Sequence, residues 1–343
     1  MLRTRTIDTA GDNRFKFVDA TQKSARSEVS SPITTSPFRR SVVETLIVHM
    51  GRLKTRILNV FGYNVTGSGR RSGRQKLGLL AIMKNEAMNI REWVDHYRWQ
   101  GVEKIYLIDN ASTDNGPKLI EQELISRFIE LFVLPEQHRQ VEHYQTVFQL
   151  GKIREQVEWL MVADLDEFWF SPNSNLRDAV SAVETADLIY ANWKMFGSCG
   201  YQSHPSSLRL CLTLRAPNLV ENHTKWICRT DAIVDPRNIE IHKVRGVAPH
   251  RTLVDNDRFH LNHYPLQSVE YFTKVKMTRG DVRSKDSDSV RTLEYFDLYN
   301  LPATHLDRLL AEMLSSEGKT TNRRLHKRLT EILRIFVGWT PAE

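Results

Sequence analysis

Trp159-Leu160-Met161-Val162-Ala163-Asp164-Leu165-Asp166-Glu167-Phe168-Trp169-Phe170 is the stretch that decides the fold. Residues 160–163 are apolar without a break, as in a strand covered on both faces. They run directly into Asp164, Leu165 and Asp166. In an open α/β sheet, ligands bind at the carboxyl ends of the strands. Two carboxylates one residue apart at that edge suit a hard divalent cation, Mg2+ or Mn2+, which takes oxygen ligands and shares them with substrate phosphates. The plainer alternative is a strand end followed by a solvated acidic turn.

The segments upstream favour a site. Residues 77–83 form another apolar run, ending in Lys84-Asn85-Glu86. Over 89–100 the spacing predicts a helix with Ile90, Trp93, Val94 and Tyr97 on one face, stopped by Gly101. Residues 104–108 predict a strand ending in Asp109-Asn110, followed by a helix from about Pro117. A strand over 128–134 and a helix over 141–157 complete the pattern, which makes the Asp-x-Asp strand the fourth. Such alternation predicts a parallel, doubly wound α/β sheet with polar residues at one edge. Further on, residues 186–193, 225–229 and 239–244 read as strands of a mixed extension. Lys274, Lys276 and Arg279 fall on a helical stretch, where a solvated basic face is the alternative. Residues 305–337 predict two helices.

The informative pieces come in a fixed order. They are Lys84-Asn85-Glu86; Trp93 with His96-Tyr97; Ile108-Asp109-Asn110 with Ser112-Thr113-Asp114; Asp164-Leu165-Asp166-Glu167-Phe168; and Trp193 with Phe196-Gly197-Ser198 and Gly200. Lys225 with His242, Asn262-His263-Tyr264, and Glu270-Tyr271-Phe272 leading to Lys274 and Arg279-Gly280 follow. In this order they resemble GT-A glycosyltransferases, and more closely the family 2-like group related to family 92. The resemblance runs from about Leu77 to Gly280. It implies a GT-A fold: a mostly parallel, Rossmann-like sheet flanked by helices, with a mixed-sheet extension and C-terminal helices. It also implies a metal-dependent, inverting transferase that takes a nucleotide sugar, a UDP-sugar favoured, and a glycan, lipid-linked or other hydroxyl acceptor.

On that resemblance the donor would meet Lys84, Asn85, Glu86, Asp109, Asn110, Asp164, Lys225, Lys274 and Arg279. The acceptor side would hold Trp193, Phe196 and Gly197. Mn2+ or Mg2+ would be held by Asp164, Asp166 and His263, since a neutral imidazole can bind Mn2+; the alternative for His263 is a structural role. The chemistry fits those residue types. A nucleotide sugar leaves as a diphosphate, and preorganised positive charge aimed at its oxygens is usually the largest catalytic effect. The alternative for Asp109 and Asp114 is an Asx turn or a helix N-cap ahead of Pro117. No catalytic base stands out. Glu167, Glu221 and His204 are candidates, and Glu167 could instead support the metal ligands.

Composition bounds the rest. The chain has 343 residues and a net charge of +7. Residues 1–76 carry 15 of the 48 Lys and Arg but 5 of the 41 Asp and Glu, so the remainder is slightly acidic, 33 against 36. The basic charge therefore belongs to an arm. Residues 1–38 read as disordered. Residues 39–63 predict a basic amphipathic helix, suited to peripheral contact with an anionic membrane through 39–61 or to packing on the domain. Residues 64–76 are a linker, 77–285 the GT-A domain and 286–343 a helical extension. No apolar run reaches the ~18 residues of a membrane span, and the first residues lack the apolar core of a secretory signal. Cys199, Cys211 and Cys228 form no C-x-x-C pair, which suits a reducing cytoplasm. No nucleic-acid partner is expected, because the basic arm holds no known module. A metal-dependent nucleotidyltransferase or phosphohydrolase is the competing function class.

Overall fold

The computed structural model describes residues 5–6, 73–278 and 291–316. Apart from Gly73 these belong to one packing unit. The amphipathic segment 39–63, the arm apart from residues 5–6, and Arg279 lie outside the described residues.

In chain order the strands are β1 (Arg5–Thr6), β2 (Gln75–Met83), β3 (Lys104–Asp109), β4 (Ile129–Val133), β5 (Val157–Val162), β6 (Glu167–Phe170), β7 (Leu188–Met195), β8 (Leu214–Arg215), β9 (Val220–Arg229), β10 (Thr252–Val254), β11 (His260–His263) and β12 (His305–Leu306). The main sheet runs β1-β4-β3-β2-β5-β9-β7-β11-β6, with β10 pairing β7. From β1 to β5 every neighbour is parallel. β9 then inserts antiparallel to both β5 and β7. β11 lies parallel to β7 and antiparallel to β6. This is the α/β sheet with a mixed extension that the sequence predicts.

Period-two burial explains the parallel half. Leu79, Ala81, Met83, Leu107 and Met161 face one core, with Trp93 and Tyr97 of the helix Ile90–Trp99. Leu80, Ile108, Leu160 and Val162 face the other, with Tyr144, Val147 and Phe148 of the helix Gln140–Leu150. Both faces are covered, so the strands read as near-continuous apolar runs. Each large side chain so buried contributes about 1.5–3 kcal/mol. Gly101, at φ +80°, ends the first helix as expected.

Several expected elements differ. The helix expected over 141–157 is two, Gln140–Leu150 and Ile153–Gln156, separated where Lys152 takes a left-handed conformation at φ 48°. The strand expected over 239–244 reduces to one bridge between Ile239 and Val244; its buried apolar residues fill a loop rather than join the sheet. The helix expected to carry Lys274 to Arg279 ends at Lys274 and passes into a 3-10 turn, Lys276–Thr278. The first helix expected at 305 is instead β12, antiparallel to β8; helix resumes at 309–316. The cause is Asp307, whose carboxylate takes Lys194 at 3.2 Å and Arg215 at 2.8 Å.

This C-terminal segment seals the second half of the sheet. A Cβ at Gly197 would stand 2.5 Å from Ala303 Cβ. Asn300 Oδ1 accepts from both the backbone N–H and the hydroxyl of Ser198 at 2.9 Å. Gly197→Ala should therefore destabilise the protein by about 1–3 kcal/mol through overpacking, read as a lower thermal midpoint. Beneath the segment, Lys194 Nζ lies 2.9 Å from His260 Nδ1. Burial, with the Lys194 charge beside it, lowers the His260 pKa to about 4. The unfolded chain, with a histidine pKa of about 6.5, then binds more protons than the folded one. Stability should fall as pH drops from about 6.5 towards about 4, because the slope follows the excess of protons on the unfolded state. His260→Gln should flatten that part of a denaturation series against pH.

Candidate active site

Beyond β5 the chain turns back at once. Asp164 N–H donates to Glu167 Oε2 at 2.9 Å, and Glu167 N–H to Asp164 O at 3.0 Å. Two aromatic residues of the first helix hold the turn from below. Trp93 Nε1 donates to Asp164 O at 2.9 Å, and Tyr97 OH to Glu167 O at 2.9 Å. The turn leads into β6, whose pairing with β11 sets His263 opposite Glu167. Tyr264 N–H closes the join by donating to Asp166 O at 2.8 Å. Strand pairing thus carries His263, from far along the chain, to the paired acids.

The acids already have counter-charges. Lys225, on β9 and fully buried, places its ammonium 2.8 Å from Asp164 Oδ2 and 3.6 Å from Glu167 Oε2. Lys276 lies 2.5 Å from Asp166 Oδ2, and His263 Nε2 lies 3.6 Å from the same oxygen. Asp164 keeps a third of its side chain exposed, whereas Asp166 is nearly sealed at 5%. Burial presses both Asp pKa values up. The ammonium of Lys225 outweighs it at Asp164; Lys276 and His263 outweigh it at Asp166 and hold that carboxyl well below its ordinary range. Burial would likewise lower the Lys225 pKa, but Asp164 and Glu167 raise it. At Glu167 burial wins over Lys225, so its pKa stands well above the ordinary value. Burial lowers the His263 pKa and favours the neutral imidazole.

The predicted donor residues at the ends of β2 and β3 bind one another's loops. Asn85, at φ 57°, accepts through Oδ1 from the backbone N–H groups of Thr113 (2.7 Å) and Asp114 (3.3 Å). Asp109 Oδ1 accepts from Ser112 N–H, three residues on, at 3.0 Å. Asn110 Nδ2 donates to Leu134 O at 2.6 Å and Glu136 O at 2.9 Å. Asp114 accepts from Ala87 N–H at 2.8 Å. Glu86 is buried and takes the Tyr271 hydroxyl at 3.1 Å. Lys84 is half-buried beside it.

Trp193 lies next to the acids. Its ring centroid is 4.2 Å from that of His263; it stacks on His223 at 4.9 Å and meets His242 edge-on at 5.4 Å. Phe196 is buried against Tyr264, and Gly197 faces Ala303 rather than open space. Glu221 is exposed on β9, and its carbonyl accepts from Asn192 Nδ2 at 3.0 Å. His204 rests near Tyr271, ring centroids 5.9 Å apart. Lys274 is largely exposed and pairs with Glu270, one helical turn away. In this basic run the lysine that reaches an acid is Lys276, at Asp166. Two residues of separation in a basic run carry no signal to tell them apart; only the 3-10 turn turns the second one inward.

Among the described residues, no group of three His, Cys, Asp or Glu side chains converges on one point as a preformed cation cage. The donor set nevertheless fits Mn2+ or Mg2+ chemistry. It offers carboxylate oxygens, a neutral imidazole, and buried His263 Nδ1 and Glu167 Oε1 with no hydrogen-bond partner. What fills the position beside the carboxylates is ammonium.

A profile of glycosyltransferase family 92 matches residues 81–302, which include every strand end just described. The chain belongs to glycosyltransferase family 92. A family 92 protein of Arabidopsis thaliana is 26% identical to it over 229 residues, 61% of this chain and 38% of the relative. One of Ricinus communis is 25% identical over 237 residues, 63% of this chain and 40% of the relative. This family 92 chain thus spans less than half the length of either. Among solved structures, S. aureus TarS 1–349 in complex with UDP-GlcNAc gives a TM-score of 0.41 at 14% identity, over 76% of this chain and 73% of TarS. GalNAc-T7 with UDP, GalNAc and Mn2+ gives 0.33 at 11% identity, over 55% of this chain and 43% of GalNAc-T7.

The buried lysine makes the family 92 site testable by stability alone. Lys225→Met strands Glu167 and Asp164 without their shared cation and should cost about 3–5 kcal/mol in urea denaturation. Adding Asp164→Asn should recover part of that loss. A single variant as stable as the wild type would show that the pairing is unimportant to the fold.

Proposed function

We propose that this chain transfers a sugar from a nucleoside diphosphate donor, a UDP-sugar favoured, to a hydroxyl of a glycan or lipid-linked acceptor. The observation that carries the reading is the strand-end cluster of Asp164, Asp166, His263, Lys225 and Lys276. Family membership gives it a reaction class. Asp164, Asp166 and His263 would hold Mn2+ or Mg2+. When bound, such a cation supplies Lewis-acid stabilisation of a leaving diphosphate. Lys225 keeps Asp164 charged and fixed in direction. The linked loops at Lys84, Asn85, Glu86, Asp109 and Asn110 form the nucleoside side, and their mutual hydrogen bonds keep it preorganised.

Trp193 offers an aromatic face to a sugar ring beside the acids. Of the two acidic candidates for deprotonating the acceptor, Glu221 suits the role better. It is exposed and lies two residues from His223, which stacks on Trp193. Glu167 is sealed and turned back onto the turn it closes. A base must come within hydrogen-bond reach of the hydroxyl it serves.

The test is release of UDP from a panel of UDP-sugars, with Mn2+ or chelator, together with a product assay for sugar transfer to glycan and lipid-linked hydroxyls. Asp166→Asn should lose at least about a hundred-fold in transfer, of the order of removing one oxyanion-type stabiliser, while keeping a wild-type circular dichroism spectrum. Release of UMP and a sugar 1-phosphate in place of UDP would move the chain to the phosphohydrolase class. Undiminished transfer in chelator would remove the metal.

A further inference from the structure

The two lysines in the site hold their acids in different ways. Lys225 is fully buried between two carboxylates, Asp164 and Glu167, and sits in the middle of a ten-residue strand. Lys276 stands on a three-residue 3-10 turn behind the helix Val269–Lys274 and meets Asp166 Oδ2 at 2.5 Å. That oxygen is also the one His263 Nε2 faces, at 3.6 Å. A divalent cation held by Asp166 and His263 would compete for the oxygen that faces the imidazole. An ammonium and a divalent cation at that oxygen repel each other strongly in a sealed site.

The surroundings give Lys276 somewhere to go. Its ammonium lies 5.8 Å from the centroid of the Tyr271 ring, and the Tyr271 hydroxyl donates to Glu86, in the loop after β2. Lys276 therefore sits between the acidic turn and the loop on which the proposed nucleoside diphosphate would rest. Lysine has a flexible four-carbon stem and freely rotating donors, so it can change partner without moving the backbone. A diphosphate arriving there would offer it an anionic partner.

We propose that Lys276 is an exchangeable counter-ion. It holds the Asp166 carboxylate in direction before a cation binds, yields it to a divalent cation, and then pairs with the donor diphosphate. Lys225 does not exchange. This rests on the metal-dependent reading given above. It implies that the exchange opens Asp166 and His263 to the cation, while Asp164 keeps its contact with Lys225. Lys276 is thus a positioning residue in the empty site and a donor-binding residue in the loaded one.

The experiment is calorimetry on the full chain with Mn2+ alone, then with UDP at saturating Mn2+. Lys276→Met keeps the apolar stem and removes the charge. It should bind Mn2+ alone roughly ten-fold more tightly, because no ammonium competes for the carboxylate, and should bind UDP in Mn2+ roughly ten-fold more weakly. Lys276→Arg, which keeps the charge, should show both constants near wild type and guards against a folding artefact in the first variant. Mn2+ affinity that is unchanged or weaker in a folded Lys276→Met protein overturns the exchange while leaving metal dependence standing. Absence of Mn2+ binding in the wild type and both variants, with or without UDP, overturns the exchange together with the metal reading.

Discussion

The contact between Lys225 and the acids at the end of β5 is the constraint on which the rest of the structure depends. An ammonium with no solvent exposure is tolerable only where nearby carboxylates repay its lost hydration. Asp164 and Glu167 do so. Lys225 comes from β9, the strand that interrupts the parallel order by pairing antiparallel with β5 and β7. The change of strand direction and the charge balance of the site are therefore one feature. If β9 were displaced, the acids would lose their counter-charge; without the acids, a buried lysine would oppose the insertion of β9.

The loops at the neighbouring strand ends obey a similar economy. Side chains expected to face a ligand spend much of their hydrogen-bonding capacity on backbone groups of adjacent loops. Asn85 serves the Thr113-Asp114 turn, Asp109 serves Ser112, and Asn110 reaches the chain after β4. The residues Asn85 and Ala111 adopt left-handed conformations there, at φ 57° in both cases, which need local support from such bonds. Loops tied together this way hold one another in place, and preorganisation of that kind would lower the cost of binding a ligand there.

Much of this architecture is legible in the sequence, for identifiable reasons. The parallel half is announced by apolar runs, because strands buried on both faces admit little else. The acids at the end of β5, and their family context, are equally plain. The mixed half is harder. Residues 239–244 carry the apolar composition of a strand, yet Trp226 Nε1 bonds to Glu240 O and the segment folds as a loop under that ring. β12 is hidden because its reason for existing is an ion pair, Asp307 with Lys194 and Arg215, that joins residues roughly a hundred positions apart, and local propensity is overridden by such tertiary contacts. Lys276 is missed for a finer reason. Its inward direction depends on where the helix Val269–Lys274 gives way to a tighter turn, and helix ends are uncertain by one or two residues.

Precision at the site follows from sheet register rather than from loops. His263 reaches the acids because β11 pairs with β6 in the register that opposes His263 to Glu167 and Asn262 to Phe168. Alternate residues of a strand point to opposite faces, so a slip by one residue would exchange them. The neighbours guard against that slip. Asn262 Nδ2 is buried and bonded to the Tyr264 hydroxyl at 3.0 Å, Tyr264 N–H is bonded to Asp166 O, and Leu261 fills the core. A one-residue slip that set His263 opposite Phe168 would turn its imidazole to the other face and bring Tyr264 opposite Glu167. Core packing and site geometry thus select the same register, and the imidazole beside the paired acids is fixed by the same contacts that hold the sheet together.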